Sequence, residues 1–415
     1  MASLSALSGQ YQKTQLPNGL RVISEAVPHV RSVSLGVWIH VGSRDEQEKE
    51  QGISHFLEHM VFKGTETRST FEIAHSLESL GGGLDAFTSR DLTCYYARCL
   101  DEHLNVALEV LADMLQNSVF DPEEIEKEKR VVLEEIQTVE DTPDDLIHDL
   151  FAQSVWGKHP VGAPIMGSPE TVRAFSQEKL VDHLGVHYQP NRIVITASGN
   201  LSHQHLVELV NQWFHYTSDT SQPLNRKQPQ DTERDQRHYT REIGQTHICL
   251  GTTACSYAHP KRYEHLIANT ALGEGMSSRL FQQIRERLGL AYSVYSYLET
   301  LEDTGLFGIY MACDSARVEQ AVEIAYAEIQ KLKCEALSKE ELASAKAQLR
   351  GELILGQESM DNRMGRLAQH EIYAQGYRPI EDSIGGIESV TQESVLDACD
   401  ALIDLGKMHR ITVGP

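Results

Sequence analysis

The segment His55-Phe-Leu-Glu-His59 places two imidazoles and one carboxylate within five residues, in the spacing H-x-x-E-H. This is the reverse of the H-E-x-x-H zinc motif. On an α-helix, positions i, i+3 and i+4 share a face, so His55, Glu58 and His59 would project together. Two imidazoles one turn apart can hold a Zn²⁺ ion while the carboxylate reaches a zinc-bound water. The segment is a candidate centre for metal-assisted hydrolysis, although such clusters also arise by chance on solvated helix faces.

The residues around this segment predict a mostly apolar helix that ends near Gly64. Its apolar positions are Ile53, Phe56, Leu57, Met60 and Val61. A helix of this kind buries part of its polar residues, and buried imidazoles and carboxylates need partners. A metal ion can be one such partner, which favours the metal interpretation over a solvated face.

A hydrolytic zinc site usually has three protein ligands and a water, so a further ligand is needed. A helical pattern from Pro122 to Leu150 carries several glutamates that could supply it, namely Glu123, Glu124, Glu126, Glu128, Glu134 and Glu135. Glu128 and Glu135 can share one partly buried strip, whereas Glu134 lies about 100° away around the helix. Spacing alone does not choose firmly among them.

The bulk composition restricts the class of protein. With 415 residues, the chain is long enough for about two to four domains. The formal net charge of −23 argues against a nucleic-acid partner, because phosphates would be repelled, and it suits basic substrates. The seven cysteines are scattered without C-x-x-C spacing, which predicts reduced thiols and no cysteine metal ligand.

The sequence predicts neither a membrane span nor an export signal. No window approaches about 18 uninterrupted apolar residues. The N-terminal residues lack both a basic region and a continuous apolar stretch. We therefore expect a cytoplasmic protein.

The polar segment 217–238 predicts a linker between two parts of similar length. We expect an N-terminal domain over residues 1–216, which carries the zinc motif, and a C-terminal domain over 239–415. Ala107–Leu115 resembles Ala321–Ile329, and Asp121–Lys129 resembles Ser338–Lys346, so the two halves look related. Strand and helix patterns in both halves predict an α+β fold, each half a mainly antiparallel sheet with flanking helices. Leu84–Ser89 and Thr93–Arg98 are expected to form a β-hairpin.

Four stretches in order resemble the pitrilysin/insulinase family of inverted-motif zinc peptidases, in particular its bacterial and mitochondrial processing-peptidase branch. They are Gly52–Thr65, Gly81–Arg90, Glu126–Ile136 and Gly275–Val294. The resemblance covers essentially the whole chain and implies a fold like those of LuxS and the processing peptidases. It implies one zinc ion per chain, with His55, His59 and Glu135 as ligands. Glu58 would be the general base, and Glu128 a supporting acid that does not bind the metal.

The same resemblance implies a substrate site. Asp85, Ala86, Phe87 and Thr88 match an edge strand that pairs with substrate backbone, in which the family usually has Asn at the position of Asp85. An ionised Asp accepts but cannot donate a hydrogen bond, so it could favour basic substrates or disturb the usual contact; a harmless hairpin residue is the alternative. In the second half, Arg285 and Tyr292 match a pair in which the tyrosine stabilises the oxyanion and the arginine anchors substrate or the tyrosine itself. Without the resemblance, the two would be a charged helix residue and a core aromatic residue.

The resulting prediction is a zinc metalloendopeptidase that cleaves extended, unfolded or presequence-like peptides, with basic peptides as the expected substrates. Both the zinc motif and the Arg285/Tyr292 pair occur in one chain, and Gly273-Glu-Gly275 lacks the extended glycine loop of zinc-less partner subunits. The resemblance therefore implies an active homodimer. The alternatives are a non-catalytic core subunit, which the intact zinc motif disfavours, and a catalytic chain that requires an unlike partner.

Overall fold

The computed structural model describes residues 9–216, 224, 226–230, 232–374 and 376–415, without the side chain of Leu402. The predicted linker 217–238 therefore falls partly on residues outside this description, namely 217–223, 225 and 231. The chain forms two compact units. Unit 1 comprises the described residues up to Gln137, Pro164–Arg226 and Ile354–Arg378. Unit 2 comprises Thr138–Ala163, the described part of Lys227–Leu353, and Pro379–Pro415. Each unit thus takes one segment from the opposite half of the chain.

The α-helices among the described residues are numbered in chain order. They are α1 (Ile53–Met60), α2 (Thr70–Glu78), α3 (Leu104–Asn117), α4 (Pro122–Asp141), α5 (Pro143–Trp156), α6 (Pro169–Arg173), α7 (Gln177–His187), α8 (His203–Trp213), α9 (Arg262–Gly273), α10 (Val318–Cys334), α11 (Lys339–Gly356), α12 (Met360–Tyr373), α13 (Ile380–Ser389) and α14 (Gln392–Leu402). In the part of the chain that is described, no helix combines the length and apolar character that a membrane span requires.

Unit 1 is built on a sheet of six described strands. They are β1 (Gln10–Gln15), β2 (Arg21–Ala26), β3 (Ser32–Ile39), β4 (Gly83–Thr88), β5 (Thr93–Leu100) and β6 (Ile193–Gly199). The order across the sheet is β1-β2-β6-β3-β5-β4, and only the β2–β6 pair is parallel. The central strands β3 and β6 are buried almost throughout, because both faces of the sheet are covered. The predicted hairpin is confirmed as β4–β5, with β4 at the edge of the sheet.

Helices cover both faces of this sheet. On one face, the apolar sides of α1, α3 and α8 pack into the larger core, with Phe56, Leu108 and Leu206 fully buried. On the other face lies α12, whose Met364 and Leu367 join a smaller core with sheet residues that include Ile23, Trp38, Cys94 and Val194. Unit 1 therefore depends on a helix that lies far along the chain from the sheet it covers.

Unit 2 is built on a second, five-stranded sheet. Its described strands are β7 (Gln236–Thr240), β8 (Thr246–Ala254), β9 (Ala291–Thr300), β10 (Gly305–Cys313) and β11 (His409–Gly414). The order is β7-β11-β8-β10-β9, and only the β7–β11 pair is parallel. On one face, α5 contributes Phe151 and Trp156 to a core with strand residues of β8, β10 and β11. On the other face, the core includes residues of α9, α10 and α14.

The two sheets share one topology. If β1 is set aside, each sheet has its strands in the order first, last, second, fourth, third along the chain, and the parallel pair joins the first and last strands. The predicted α+β fold with mainly antiparallel sheets is confirmed. The shared strand order supports the interpretation that the two halves are related.

The prediction of one helix from Pro122 to Leu150 was wrong. The segment forms two helices, because α4 ends at Asp141 and α5 begins at Pro143. Proline lacks a backbone N–H and disfavours helical dihedral angles at the residue before it. Thr142 accordingly has φ −109° and ψ 94° and lies outside both helices.

Candidate metal centre

The position of α1 is fixed at its N-terminus by Glu46. Its buried carboxylate accepts hydrogen bonds from the backbone N–H groups of Gly52, at 2.7 Å, and Ser54, at 2.8 Å. Burial raises the pKa of Glu46 to about 8, although the two N–H groups act to lower it. Gly52 has φ +92°, and a Cβ there would lie 2.4 Å from the carbonyl oxygen of Met166, so only glycine fits. Residues outside the H-x-x-E-H segment therefore determine where helix α1 begins.

The two histidines of α1 lie side by side. Their ring centroids are 4.7 Å apart, and the His55 side chain is largely buried. Burial, aided by the charge of His59, lowers the pKa of His55 to about 4, so its ring is neutral at neutral pH. A neutral imidazole has a lone pair available for a metal ion. Nδ1 of His55 is buried and has no hydrogen-bond partner among the described residues.

Glu135 of α4 completes a cluster with these histidines. Its carboxylate oxygens lie 3.8 Å from Nε2 of His55 and 3.7 Å from Nε2 of His59. These separations are too long for hydrogen bonds. One ligand atom from each of the three residues lies within 4.8 Å of the other two. Of the adjacent pair of glutamates, Glu135 is part of this cluster, whereas Glu134 is exposed.

Glu128, two turns earlier on α4, holds His59 from its other side. Its Oε1 lies 2.7 Å from Nδ1 of His59, and its Oε2 accepts from the Lys63 ammonium at 2.7 Å. Burial acts to raise the pKa of Glu128, but the contacts with His59 and Lys63 outweigh it and lower the pKa. An ionised Glu128 places the ring proton of His59 on Nδ1 and directs Nε2 toward Glu135.

The charges around His59 favour a cation. Burial acts to lower the pKa of His59, but the nearby carboxylates of Glu128, Glu135 and Glu58 outweigh it and raise the pKa. Two imidazole nitrogens and a carboxylate are the donor set of a hydrolytic zinc site. The donor chemistry, the free Nε2 atoms and the surrounding negative charge therefore fit a divalent zinc ion.

Glu58 lies on the same helix and has a different partner. Its Oε2 accepts a 2.5 Å hydrogen bond from the hydroxyl of Thr88, at the end of β4. Burial raises the pKa of Glu58, although the Thr88 bond and the charge of His59 act to lower it. A carboxylate with a raised pKa is a stronger base than an ordinary one, which suits a group that accepts and returns protons.

The predicted substrate strand is the edge strand β4. Asp85 is exposed, and its carboxylate accepts hydrogen bonds from the Tyr96 hydroxyl, at 2.9 Å, and from the backbone N–H of Ala86, at 2.8 Å. Phe87 is 40% exposed and packs edge-on against Trp38. Within the described sheet, β4 pairs with β5 on one side, and its other side has no strand.

The predicted Arg285/Tyr292 pair lies in unit 2. The Arg285 guanidinium lies over the Tyr292 ring, 4.5 Å from its centroid, and donates to the Tyr292 carbonyl oxygen at 2.9 Å. Tyr292 is 75% exposed at the start of β9, so it is not a core aromatic residue. The two residues contact each other, and their predicted roles toward substrate remain predictions.

The structure adds supporting residues that sequence reasoning missed. Lys63 pairs with Glu128, Glu46 caps α1, and Thr88, predicted only as a substrate contact, hydrogen-bonds Glu58. Lys63 follows His59 by four residues, which is about one turn if the helix continues. This spacing could have indicated that Lys63 lies near the motif. For Glu46, no local pattern connects a residue of the preceding loop to the helix N-terminus.

Comparison with known proteins decides the family. Residues 21–169 match the family described as "Insulinase (Peptidase family M16)", and residues 174–349 match "Peptidase M16 inactive domain". A Bacillus subtilis protein named as an uncharacterized zinc protease is 42% identical over 379 residues, which cover 91% of this chain and 92% of the relative. The chain belongs to the M16 (insulinase) family of peptidases. The family predicted from the sequence is thereby confirmed.

Other proteins similar to this M16 chain are consistent with the family assignment. A Streptomyces coelicolor protein, also named as an uncharacterized zinc protease, is 38% identical over 394 residues, covering 93% of this chain and 86% of the relative. Among solved structures, a protease from Helicobacter pylori has a TM-score of 0.91 at 21% identity, with 98% of this chain and all (100%) of that chain covered. A Pseudomonas fluorescens structure described as a peptidase M16 inactive domain also has a TM-score of 0.91, at 20% identity with 98% of each chain covered. These two likenesses show the fold.

Proposed function

We propose that this M16 chain is a zinc-dependent metalloendopeptidase that cleaves extended, unfolded or presequence-like peptides. The observation that carries the proposal is the convergence of Nε2 of His55, Nε2 of His59 and the Glu135 carboxylate beside Glu58. These three residues would hold one zinc ion per chain. When bound, zinc supplies a Lewis acid that polarises the peptide carbonyl and makes a water molecule more acidic.

The residues of the chain have separable roles in this reaction. Glu58 accepts a proton from the attacking water and later returns one to the leaving amine, as its raised pKa allows. The Thr88 hydroxyl, hydrogen-bonded to Oε2, fixes the orientation of the Glu58 carboxylate. Glu128 and Lys63 fix the orientation of the His59 ring, so they are positioning residues.

Edge strand β4 is the proposed binding site for the peptide backbone. Backbone groups on the open side of an edge strand can pair with an extended peptide, which explains a preference for unfolded substrates. The exposed carboxylate of Asp85 and the net charge of −23 favour basic peptides. By the family resemblance, Arg285 anchors substrate and Tyr292 stabilises the oxyanion.

A homodimer is part of the proposal, because the zinc-motif residues and the Arg285/Tyr292 pair are present in one chain. Sedimentation of the purified chain measures this directly. A chain that is active only after an unlike subunit is added would replace the homodimer with a mixed assembly.

The deciding experiment measures bound zinc and cleavage of a basic, extended peptide by the purified chain and by Glu58→Gln. We expect one catalytic zinc ion per chain in both proteins and cleavage only by the wild type. Glu134→Gln, an exposed position on the same helix as Glu135, is the matched control and should keep both properties. Zinc without cleavage in the wild type would indicate a missing partner subunit. A wild-type chain that binds no zinc, or no more zinc than a His55→Ala/His59→Ala variant, would overturn the enzymatic proposal.

A further inference from the structure

A second group of metal-ligating side chains lies in unit 2, where β8 leads into α9. Cys255, His259 and His265 each bring one ligand atom within 4.8 Å of the other two. The two imidazole rings are 5.6 Å apart between centroids and nearly perpendicular, at 80°. We propose that these three residues form a second site for Zn²⁺ or a similar borderline-soft divalent cation, independent of the His55/His59/Glu135 centre.

Backbone hydrogen bonds hold the segment that carries the three residues. The N–H of Tyr257 donates to the carbonyl of Leu301 at 2.8 Å, and the N–H of His259 donates to the carbonyl of Ser256 at 3.1 Å. The first turn of α9 is closed by the bond from the His265 N–H to the Lys261 carbonyl, at 3.2 Å. Side chains on a helix point back toward its N-terminus, which brings His265 toward the preceding loop. The three ligands are therefore brought together by the fold itself.

The donor chemistry is that of zinc. Cysteine thiolate and imidazole bind zinc in tetrahedral sites, and three protein ligands leave one position for water or another small ligand. Cys255 and His265 are buried, whereas His259 is exposed, so solvent reaches the site from the side of His259. On binding, the metal replaces the thiol proton of Cys255, and that proton leaves to solvent. Hard cations such as Mg²⁺ are disfavoured, because no carboxylate belongs to the cluster.

Two neighbouring groups affect the site. The Arg262 guanidinium lies over the Tyr257 ring, 3.9 Å from its centroid, and its charge opposes a cation. Burial raises the pKa of the Cys255 thiol to about 11, although the Arg262 charge acts to lower it, so the metal must displace a thiol proton. The charge of Lys261 acts on His265 and likewise opposes a cation. The Lys261 backbone N–H donates to Nδ1 of His259 at 3.2 Å. Ligation through Nδ1 would replace this bond, and ligation through Nε2 would move the ring proton to Nδ1. In either case, metal binding removes only the long hydrogen bond between the Lys261 N–H and His259.

The topology gives the site a counterpart. In the strand order that the two sheets share, α1 lies between the second and third strands of unit 1, and α9 lies between the second and third strands of unit 2. The proposed site thus uses the segment of unit 2 that corresponds to the zinc-motif segment of unit 1, with a thiolate in its donor set. The prediction that no cysteine is a metal ligand does not hold for Cys255 under this proposal.

The test replaces zinc with Co²⁺ in the full-length chain and records the absorption spectrum. A cobalt ion at Cys255 gives a thiolate-to-metal charge-transfer band, which a centre of two histidines and a glutamate cannot give. We expect this band in the wild type and in the His55→Ala/His59→Ala variant, and its loss in Cys255→Ser. Cys334→Ser changes the one cysteine that is exposed among the described residues, and this control should keep the band.

Stoichiometry and affinity complete the test. Bound metal should fall from two equivalents per chain to one in Cys255→Ser. His259→Ala, at an exposed position that can change without disturbing a core, should weaken cobalt binding by about tenfold or more. Absence of the band in the wild type, or a band that survives Cys255→Ser, would overturn the proposal. Failure of the proposed peptidase activity would leave the band in place, so the two failures are distinguishable.

Discussion

Nδ1 of His59 and Oε1 of Glu128 lie 2.7 Å apart, and Oε2 of the same carboxylate lies 2.7 Å from the ammonium of Lys63. One ionised glutamate therefore joins the second histidine of α1 to a lysine that follows it. The contact fixes which nitrogen of His59 faces Glu135. Metal affinity at this centre should depend on a residue that does not itself belong to the ligand cluster.

Glu128→Gln tests this dependence. Glutamine can still accept from Nδ1 of His59, but it loses the negative charge and the ion pair with Lys63. We expect zinc affinity to fall by about 10- to 100-fold, the range for loss of an outer hydrogen-bond partner of a ligating histidine. Competition with a chelator measures the affinity. Glu126→Gln, at an exposed position on the same helix, is the control, and equal losses in both variants would contradict a specific role for Glu128.

Thr88→Val removes the hydroxyl that donates to Glu58 while keeping the side-chain shape. A hydrogen bond to a charged group contributes about 1.5–3 kcal/mol, so we expect kcat to fall by about 10- to 100-fold with bound zinc unchanged. In the wild type, the hydrogen bond from Thr88 acts to lower the pKa of Glu58. Its loss should therefore raise that pKa and move the acidic limb of the kcat/KM profile to higher pH. Thr88→Ser should restore both quantities. An unmoved acidic limb would show that the Thr88 hydroxyl does not act through Glu58.

Asp85→Asn tests charge selection at β4. Asparagine keeps an acceptor for the Tyr96 hydroxyl, so the hairpin should fold as before. An exposed charge pair is worth about 0.2–1 kcal/mol, which predicts a rise in KM of up to about fivefold for peptides rich in Lys and Arg. KM for neutral peptides of the same length should not change. A similar rise for both peptide classes would indicate a disturbed strand instead of a lost charge.

His183 of α7 should make unit 1 sensitive to acid. Burial and the charge of the neighbouring His187 lower the pKa of His183 from 6.5 to about 3. Because the folded state holds the neutral ring, its contribution to stability is present above pH 6.5 and is lost as the pH falls toward 3. One proton corresponds to about 1.4 kcal/mol per pH unit. The free energy of unfolding of His183→Gln should fall less steeply between these limits than that of the wild type. His205→Gln, at an exposed position, is the control, and parallel curves for wild type and His183→Gln would refute the assignment.

Loss of one partner from the buried ion pair between Arg363 of α12 and Glu25 of β2 should strongly destabilise unit 1. The two atoms Nη1 and Oε1 are 2.6 Å apart, and the side chains are 4% and 1% exposed. Arg363→Met leaves a buried carboxylate without its partner and should lower the free energy of unfolding by about 3–5 kcal/mol. Adding Glu25→Leu should recover much of this loss. Arg31→Met, which breaks an exposed pair with Asp101, should change the free energy of unfolding far less than Arg363→Met does.

The residue cluster of the candidate metal centre was predictable in part from residue spacing. The helical period places His55, Glu58 and His59 on one face of α1, because contacts within five residues depend only on local geometry. The choice of Glu135 over Glu134 required the family resemblance, since it depends on how α4 packs against α1. The break between α4 and α5 at Pro143 could have been predicted from the chemistry of proline.

Long-range placement was not predictable from local patterns. Nothing in the amphipathic pattern of α12 distinguishes a helix that covers its own half from one that covers the first sheet. The same holds for Cys255, His259 and His265, whose spacing matches no familiar motif and which the turn before α9 brings together. Both features depend on tertiary structure.

The placement of α5 and α12 has a consequence for how the polypeptide can be divided. A fragment that ends before residue 217 would lack α12 and expose Ile23, Trp38 and Val194 to water, while the remaining fragment would lack Phe151 and Trp156. Neither fragment would be an autonomous folding unit, because each would lack one wall of a hydrophobic core. Coexpressed fragments should instead rescue one another by complementation, so a proteolytic nick between residues 217 and 231 would not by itself release two stable halves.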